Sequence, residues 1–110
     1  MYQVKKRDGK IVEFDIAKIS AALTKAFEGT GKQYHPSIID LLALKVTSDF
    51  EPKIKNDMID VEDIQDSAEA VLIQAGYGDV AKNYILYRKQ REKIRNMNAT
   101  MLDYKELVNS

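Results

Sequence analysis

From Tyr2 to Arg7 polar and apolar residues alternate, Asp8-Gly9 interrupts, and Lys10 to Phe14 brings in Ile11, Val12 and Phe14. Alternation is the period of a strand. Asp-Gly between two such runs is among the strongest two-residue hairpin signals, because a type I′ turn needs positive φ at both central positions. A hairpin therefore starts the fold, and its apolar face must lie on something. Asp15 then offers a helix N-cap. Ile16, Ile19, Leu23, Ala26 and Phe27 recur at helical spacing until Gly29, predicting a first helix over residues 16–28.

Residues 29–36 read as a loop. A second helix is expected from Ser37 to Phe50, with Ile38, Leu41, Leu42 and Val46 inward and Pro52 as terminator. Residues 53–59 leave room for a third strand. Asp60 caps a third helix with Ile64, Ala68, Val71 and Leu72 on its apolar face, closed by Gly76. Gly78-Asp79 opens a fourth, which runs through Val80, Tyr84, Ile85 and Tyr87 into the charged stretch Arg88 to Arg95 before Asn96 and Asn98 weaken it. A short amphipathic segment, Met101 to Val108, follows. The expected class is α+β, a four-helix bundle capped by a hairpin or small three-stranded sheet, without internal repeats or low-complexity segments.

Bulk properties narrow the function. With 110 residues, 45% of them hydrophobic, the chain builds one core and one domain. Lys+Arg and Asp+Glu stand at 17 each, so no whole-chain field draws in nucleic acid or an acidic membrane, and an anionic ligand requires a local site. There is no cysteine, which excludes disulfides, thiolate metal sites and cysteine nucleophiles, and a single histidine, His35, leaves no histidine-based metal centre or catalytic triad. No apolar run approaches a membrane span and no signal peptide precedes the hairpin, so a cytoplasmic protein is expected.

The residues that stand out are Lys6, Arg7 and Lys18, which join the hairpin tip to the first turn of the following helix. Near the N3 position, Lys18 faces the partial positive charge of the helix terminus, which ordinarily costs a few tenths of a kcal/mol. A bound anion reverses that sign, since free backbone N–H groups, the helix dipole and three cations together suit a phosphate. The plain alternative is a solvated hairpin tip with a lysine turned to water. A second basic group, Arg88, Lys89, Arg91, Lys93 and Arg95, has Arg88, Arg91 and Arg95 on one helical face, where they suit further phosphates or merely the dipole of a helix C-terminus. The acidic set Asp60, Glu62, Asp63 and Asp66 lacks calcium-loop spacing and reads as favourable charge in a first helical turn. Gly29-Thr30-Gly31-Lys32 is only a fragment of a phosphate loop.

Val4-Lys5-Lys6-Arg7-Asp8-Gly9, Phe14-Asp15, Lys18-Ile19, Ile59-x-Val61 before Ile64-Gln65, and Val80-Ala81…Tyr84-Ile85-x-Tyr87-Arg88-x-x-Arg91 resemble, in order and spacing, the motifs of the ATP-cone family. The likeness covers residues 2–95. It implies a small nucleotide-sensing domain of ribonucleotide reductases, in which an adenine nucleotide, ATP or dATP accompanied by Mg2+, sits between the sheet and the helix ends. Matched position by position, Val4, Lys6, Arg7, Lys18 and Ile19 stand at nucleotide contacts, and Asp15 stands where the family has Asp or Asn near the ribose or base. Val12 replaces a Glu of some members and Val61 a Thr, so both offer apolar or backbone contact. Arg91 is the first choice for the phosphate-binding cation of the last helix and Arg88 the second. Residues 96–110, with Met101-Leu102-Asp103-Tyr104, resemble the linker toward the catalytic domain of anaerobic, glycyl-radical ribonucleoside-triphosphate reductases, which implies a regulatory piece without the catalytic residues of its parent.

In that family ATP permits activity and dATP suppresses it, usually by changing how subunits associate. Such a response requires the two ligands to favour different states. Two rivals remain. The cone of a zinc-ribbon repressor of reductase genes has a four-cysteine ribbon ahead of it, which this chain lacks. A small nucleic-acid or protein interaction domain would use the Arg88–Arg95 face, but Tyr84 and Tyr87 sit at core spacing rather than as a stacking platform. A stand-alone enzyme finds no nucleophile, metal cluster or acid and base pair.

Overall fold

The computed structural model describes residues 2–31 and 33–90. Arg91, Lys93, Arg95 and the expected linker 96–110 lie outside the described residues. Strands β1 (Gln3–Lys5) and β2 (Ile11–Glu13) pair antiparallel with Val4 opposite Val12, and β3 (Met58–Asp60) joins the other edge of β1 in parallel, with Ile59 opposite Val4. Helices α1 (Ile16–Thr30), α2 (Pro36–Phe50) and α3 (Val61–Gln74) follow the expected order, and a fourth, α4, is described over residues 78–90. The expected α+β architecture of four helices and a three-stranded sheet is what forms.

Three local expectations change. The hairpin is not a two-residue type I′ turn: Gly9 N–H donates to the Lys6 carbonyl at 3.0 Å, and only Gly9 of the Asp-Gly pair has positive φ, at 88°. A glycine in the left-handed region after a tight turn makes the longer, bulged hairpin, and the bulge throws Arg7 toward α3 instead of leaving it at an exposed tip. The paired positive φ values instead belong to Asn56 and Asp57, at 52° and 57°, where Lys55 and Met58 exchange backbone hydrogen bonds and turn the chain into β3.

Helix α1 does not stop at Gly29. It continues to Thr30 and is capped by Gly31 in the left-handed region. Gly29 is small because α4 comes close: a Cβ there would run into the Asn83 side-chain amide, which donates to the Ala26 carbonyl at 2.9 Å. In α2, the inward row is Ile39, Leu42, Ala43, Val46 and Phe50, while Leu41 is 53% exposed. Of the expected row only Leu41 is out of phase, while Ile38 is half-buried against the core, because a leucine-rich helix offers two nearly equivalent apolar stripes and only packing chooses between them. His35 supplies the N-cap, its Nδ1 accepting from the Ser37 N–H at 3.2 Å.

The core joins the four helices through Leu23, Phe27, Val46, Phe50, Leu72 and Val80, all essentially sealed from solvent. Each large apolar side chain buried this way contributes about 1.5–3 kcal/mol. Tyr2 and Phe14 stack at 4.6 Å and both meet Phe50 edge-on, which clamps the sheet to α2. The clamp holds one side of the sheet shut. Further along the same face, Val4 and Val12 look onto α1 and the start of α3 across open space.

Candidate functional site

That space consists of two adjoining cavities. The inner one, about 160 Å³, is an apolar slot walled by Val4 and Val12 of the sheet, Ile19 of α1, and Val61 and Ile64 of α3, with the Asp15 and Lys18 side chains at its edge. The outer one, about 490 Å³, runs between the hairpin turn and the facing surfaces of α1, α3 and α4, and is lined by Lys6, Arg7, Lys18, Lys25 and Arg88. Lys6, Lys18, Val61, Gln65 and Tyr84 belong to both. The expected residues Val4, Lys6, Arg7, Val12, Asp15, Lys18, Ile19, Val61 and Arg88 are therefore brought around one continuous space. Arg91 lies outside the described residues.

The cations fall into two groups. Lys18 sits at N3 of α1, whose cap is Asp15, its Oδ1 accepting from the Ala17 N–H at 3.0 Å. No acidic residue stands in that first turn. Among the described residues neither Lys6 nor Lys18 has a carboxylate partner, so two ammonium groups share the mouth of the cleft with a helix N-terminus whose capping acid is Asp15 alone. Like charges gathered at the positive end of a dipole are unfavourable in the empty protein, and an anion removes the penalty.

The arginines differ. Arg7 Nε lies 3.3 Å from Glu62 Oε1, and an Arg7 Nη donates to Gln65 Oε1 at 3.3 Å. Arg88 Nη1 donates to Asp66 at 3.0 Å and to Glu69 at 2.8 Å, with only 18% of its side chain exposed. Burial pulls the Arg88 pKa down, but the hydrogen bonds it donates to Glu69 and Asp66, together with their charges, outweigh it and raise the value, fixing the charge. Glu62, Asp66 and Glu69 follow one another at i, i+4 and i+7, a single stripe of α3 aimed at these arginines. Glu62 and Asp66, expected as first-turn helix charge, are thus ion-pair partners. Glu69 was missed, although its spacing from Asp66 was visible. In the described part of the Arg88–Arg95 row Arg88 is turned inward and Lys89 is exposed.

Tyr87 is half-buried, with Lys25 Nζ 5.7 Å from its ring centre. Tyr84 is 7% exposed, and burial, opposed by Arg88 and aided to a lesser degree by Glu69 and Asp66, pushes its phenol up to about 12. Gln65 and Tyr84 line the junction of slot and cleft and were not singled out as ligand contacts, since a glutamine next to a helical isoleucine and a tyrosine at core spacing do not by themselves mark a ligand contact. Among the described residues no cluster of three or more His, Cys, Asp or Glu is placed to hold a metal ion. No helix among them is long and apolar enough to cross a membrane.

An apolar slot opening into a cationic cleft suits a ligand with a flat apolar end and an anionic one, and the sequence agrees with a family built on that plan: residues 2–93 match the ATP cone domain. The chain belongs to the ATP-cone family. It is 42% identical over 96 residues to the ribonucleoside-diphosphate reductase subunit alpha of Chlamydia pneumoniae, a match covering 82% of this chain. It is 39% identical over 99 residues to the vitamin B12-dependent ribonucleoside-diphosphate reductase of Mycobacterium tuberculosis, covering 90% of the chain, and 38% identical over 108 residues to the enzyme of the same name from Thermoplasma acidophilum. The chain spans 9%, 14% and 13% of the length of these three relatives.

Proposed function

We propose that this cone binds ATP or dATP as an allosteric ligand and regulates the overall activity of a ribonucleotide reductase. The base and sugar enter the slot between Val4, Val12, Ile19 and Val61, and the triphosphate lies in the cleft against Lys6, Lys18 and the α1 N-terminus. The observation that carries this reading is the pair of lysines at that helix end without acidic partners, beside a slot of apolar walls. Arg7 and Arg88 frame the phosphates while held by α3, and Arg91 remains the proposed extra cation of the last helix. Asp15 caps α1 with one carboxylate oxygen, which leaves the other for the sugar edge. Mg2+ would arrive on the phosphates, since the described residues offer no cluster to hold it independently.

The relatives' names favour a diphosphate reductase as parent. The anaerobic triphosphate reductase implied by Met101-Leu102-Asp103-Tyr104 is the second reading, and it rests on residues outside those described. In either parent, the nucleotide would act through the cone's contacts with the catalytic domain or with a second copy, in the cytoplasm where deoxyribonucleotides are made. Calorimetry with ATP, dATP and GTP, each with magnesium, tests the proposal: saturable binding of both adenine nucleotides with GTP at least tenfold weaker is expected. Equal affinity for all three, or none for any, would remove it.

A further inference from the structure

Tyr84 is a largely buried residue whose hydroxyl the described part of the fold does not use. Where a described hydroxyl lies beside an acceptor it takes it: Thr24 donates to Ser20, Thr47 to Ala43 and Tyr34 to Glu28. Among the described residues no hydrogen bond is made by Tyr84 Oη, although the residue is 7% exposed. Nor is this oxygen sealed in the core, a condition that applies to Tyr2 Oη and Ser67 Oγ. Tyr84 lines both cavities, at the stretch they share with Lys6, Lys18 and Gln65, so what remains of its surface is cavity surface. The hydroxyl is thus open to the cavities and makes no bond within the described protein, which leaves it free to donate to a group that enters them.

We infer that the Tyr84 hydroxyl donates a hydrogen bond to the ligand at the junction of slot and cleft, to an oxygen of the phosphate nearest the sugar. This rests on the nucleotide reading above and adds to it a neutral donor from α4, facing the two lysines across the ligand. A phosphate oxygen is the fitting acceptor because the ammonium groups lining the same stretch draw the anionic part of the ligand there, and a phenol held protonated donates to it without adding charge. Arg88 Nη1 is taken by Asp66 and Glu69, so that nitrogen leaves the junction to Tyr84.

Tyr84→Phe in the 110-residue chain removes the oxygen and keeps the ring that fills the core. Calorimetry with ATP and dATP on both proteins, together with thermal melts of the nucleotide-free forms, tests the assignment. Expected are a loss of affinity of about tenfold or more for both nucleotides, as befits a hydrogen bond to a charged group, and a Tm no lower than wild type. Unchanged affinity in a variant whose wild type binds would overturn it. A loss confined to ATP would move the contact to the 2′-hydroxyl and overturn it too, and a lowered Tm would assign the hydroxyl to packing instead. If the wild type itself binds neither nucleotide, the nucleotide reading has failed rather than this residue.

Discussion

Two helices present their N-termini close to the same cleft, and their first turns are built in opposite ways. Helix α3 begins with Glu62 and Asp63, acids where the dipole wants them, and Glu62 in turn holds Arg7. Helix α1 begins with no acid and with Lys18 at N3, next to Lys6 and equally without a carboxylate partner among the described residues. The α3 terminus is thus complete within the protein, whereas the α1 terminus is left short of negative charge. Arg7 and Arg88 are engaged by acids of α3, whereas Lys6 and Lys18 have no carboxylate partner among the described residues. Removing one or the other should therefore move different observables.

The largest difference is expected in binding. Lys6→Ala or Lys18→Ala, each losing a charge-assisted phosphate contact, should weaken ATP by about 1.5–3 kcal/mol in calorimetry while the domain stays folded. Next comes the alkaline response of the opposite wall. Because the Tyr84 pKa is raised in the fold to about 12 from an ordinary 10.0, the unfolded chain gives up this proton first, so the stabilisation is fully present below pH 10 and is lost as pH rises toward 12. Denaturant melts should lose about 2 kcal/mol across that window relative to Tyr84→Phe, which lacks the group. Arg88→Ala should lower stability by about 1–2 kcal/mol, read as a fall in Tm, because Glu69 is left partly buried and unpaired. Smallest and most diagnostic, Lys18→Ala should raise the stability of the nucleotide-free domain by a few tenths of a kcal/mol, since it removes a cation from the wrong end of a helix. A fall in stability for Lys18→Ala equal to that of Arg88→Ala would erase the contrast between the walls.

The sequence made the order of elements legible because each has a local cause: alternation for the hairpin, Asp15 for the α1 cap, the Ile64, Ala68, Val71 and Leu72 row for α3. The candidate site was legible where it is local too, in Lys6, Arg7 and Lys18, which are close along the chain. What escaped depends on contacts between distant segments. The phase of α2 was set by packing rather than by its leucines, and the need for Gly29 comes from Asn83 on another helix. The engagement of Arg7 and Arg88 by Glu62, Asp66 and Glu69 requires knowing that α3 lies against both the hairpin and α4. Tyr84 was readable as core, and its idle hydroxyl only became visible once the cavities beside it were.

The central claim is that the α1 terminus, with Lys6 and Lys18 beside it, is a triphosphate site. A crystal structure of the chain grown with excess ATP and magnesium tests it most directly: phosphate oxygens within hydrogen-bonding reach of both Lys6 Nζ and Lys18 Nζ, with the base between Val4, Val12, Ile19 and Val61, are predicted. Both ammonium groups pointing into solvent beside an empty cleft, or the nucleotide bound at another face, would contradict it.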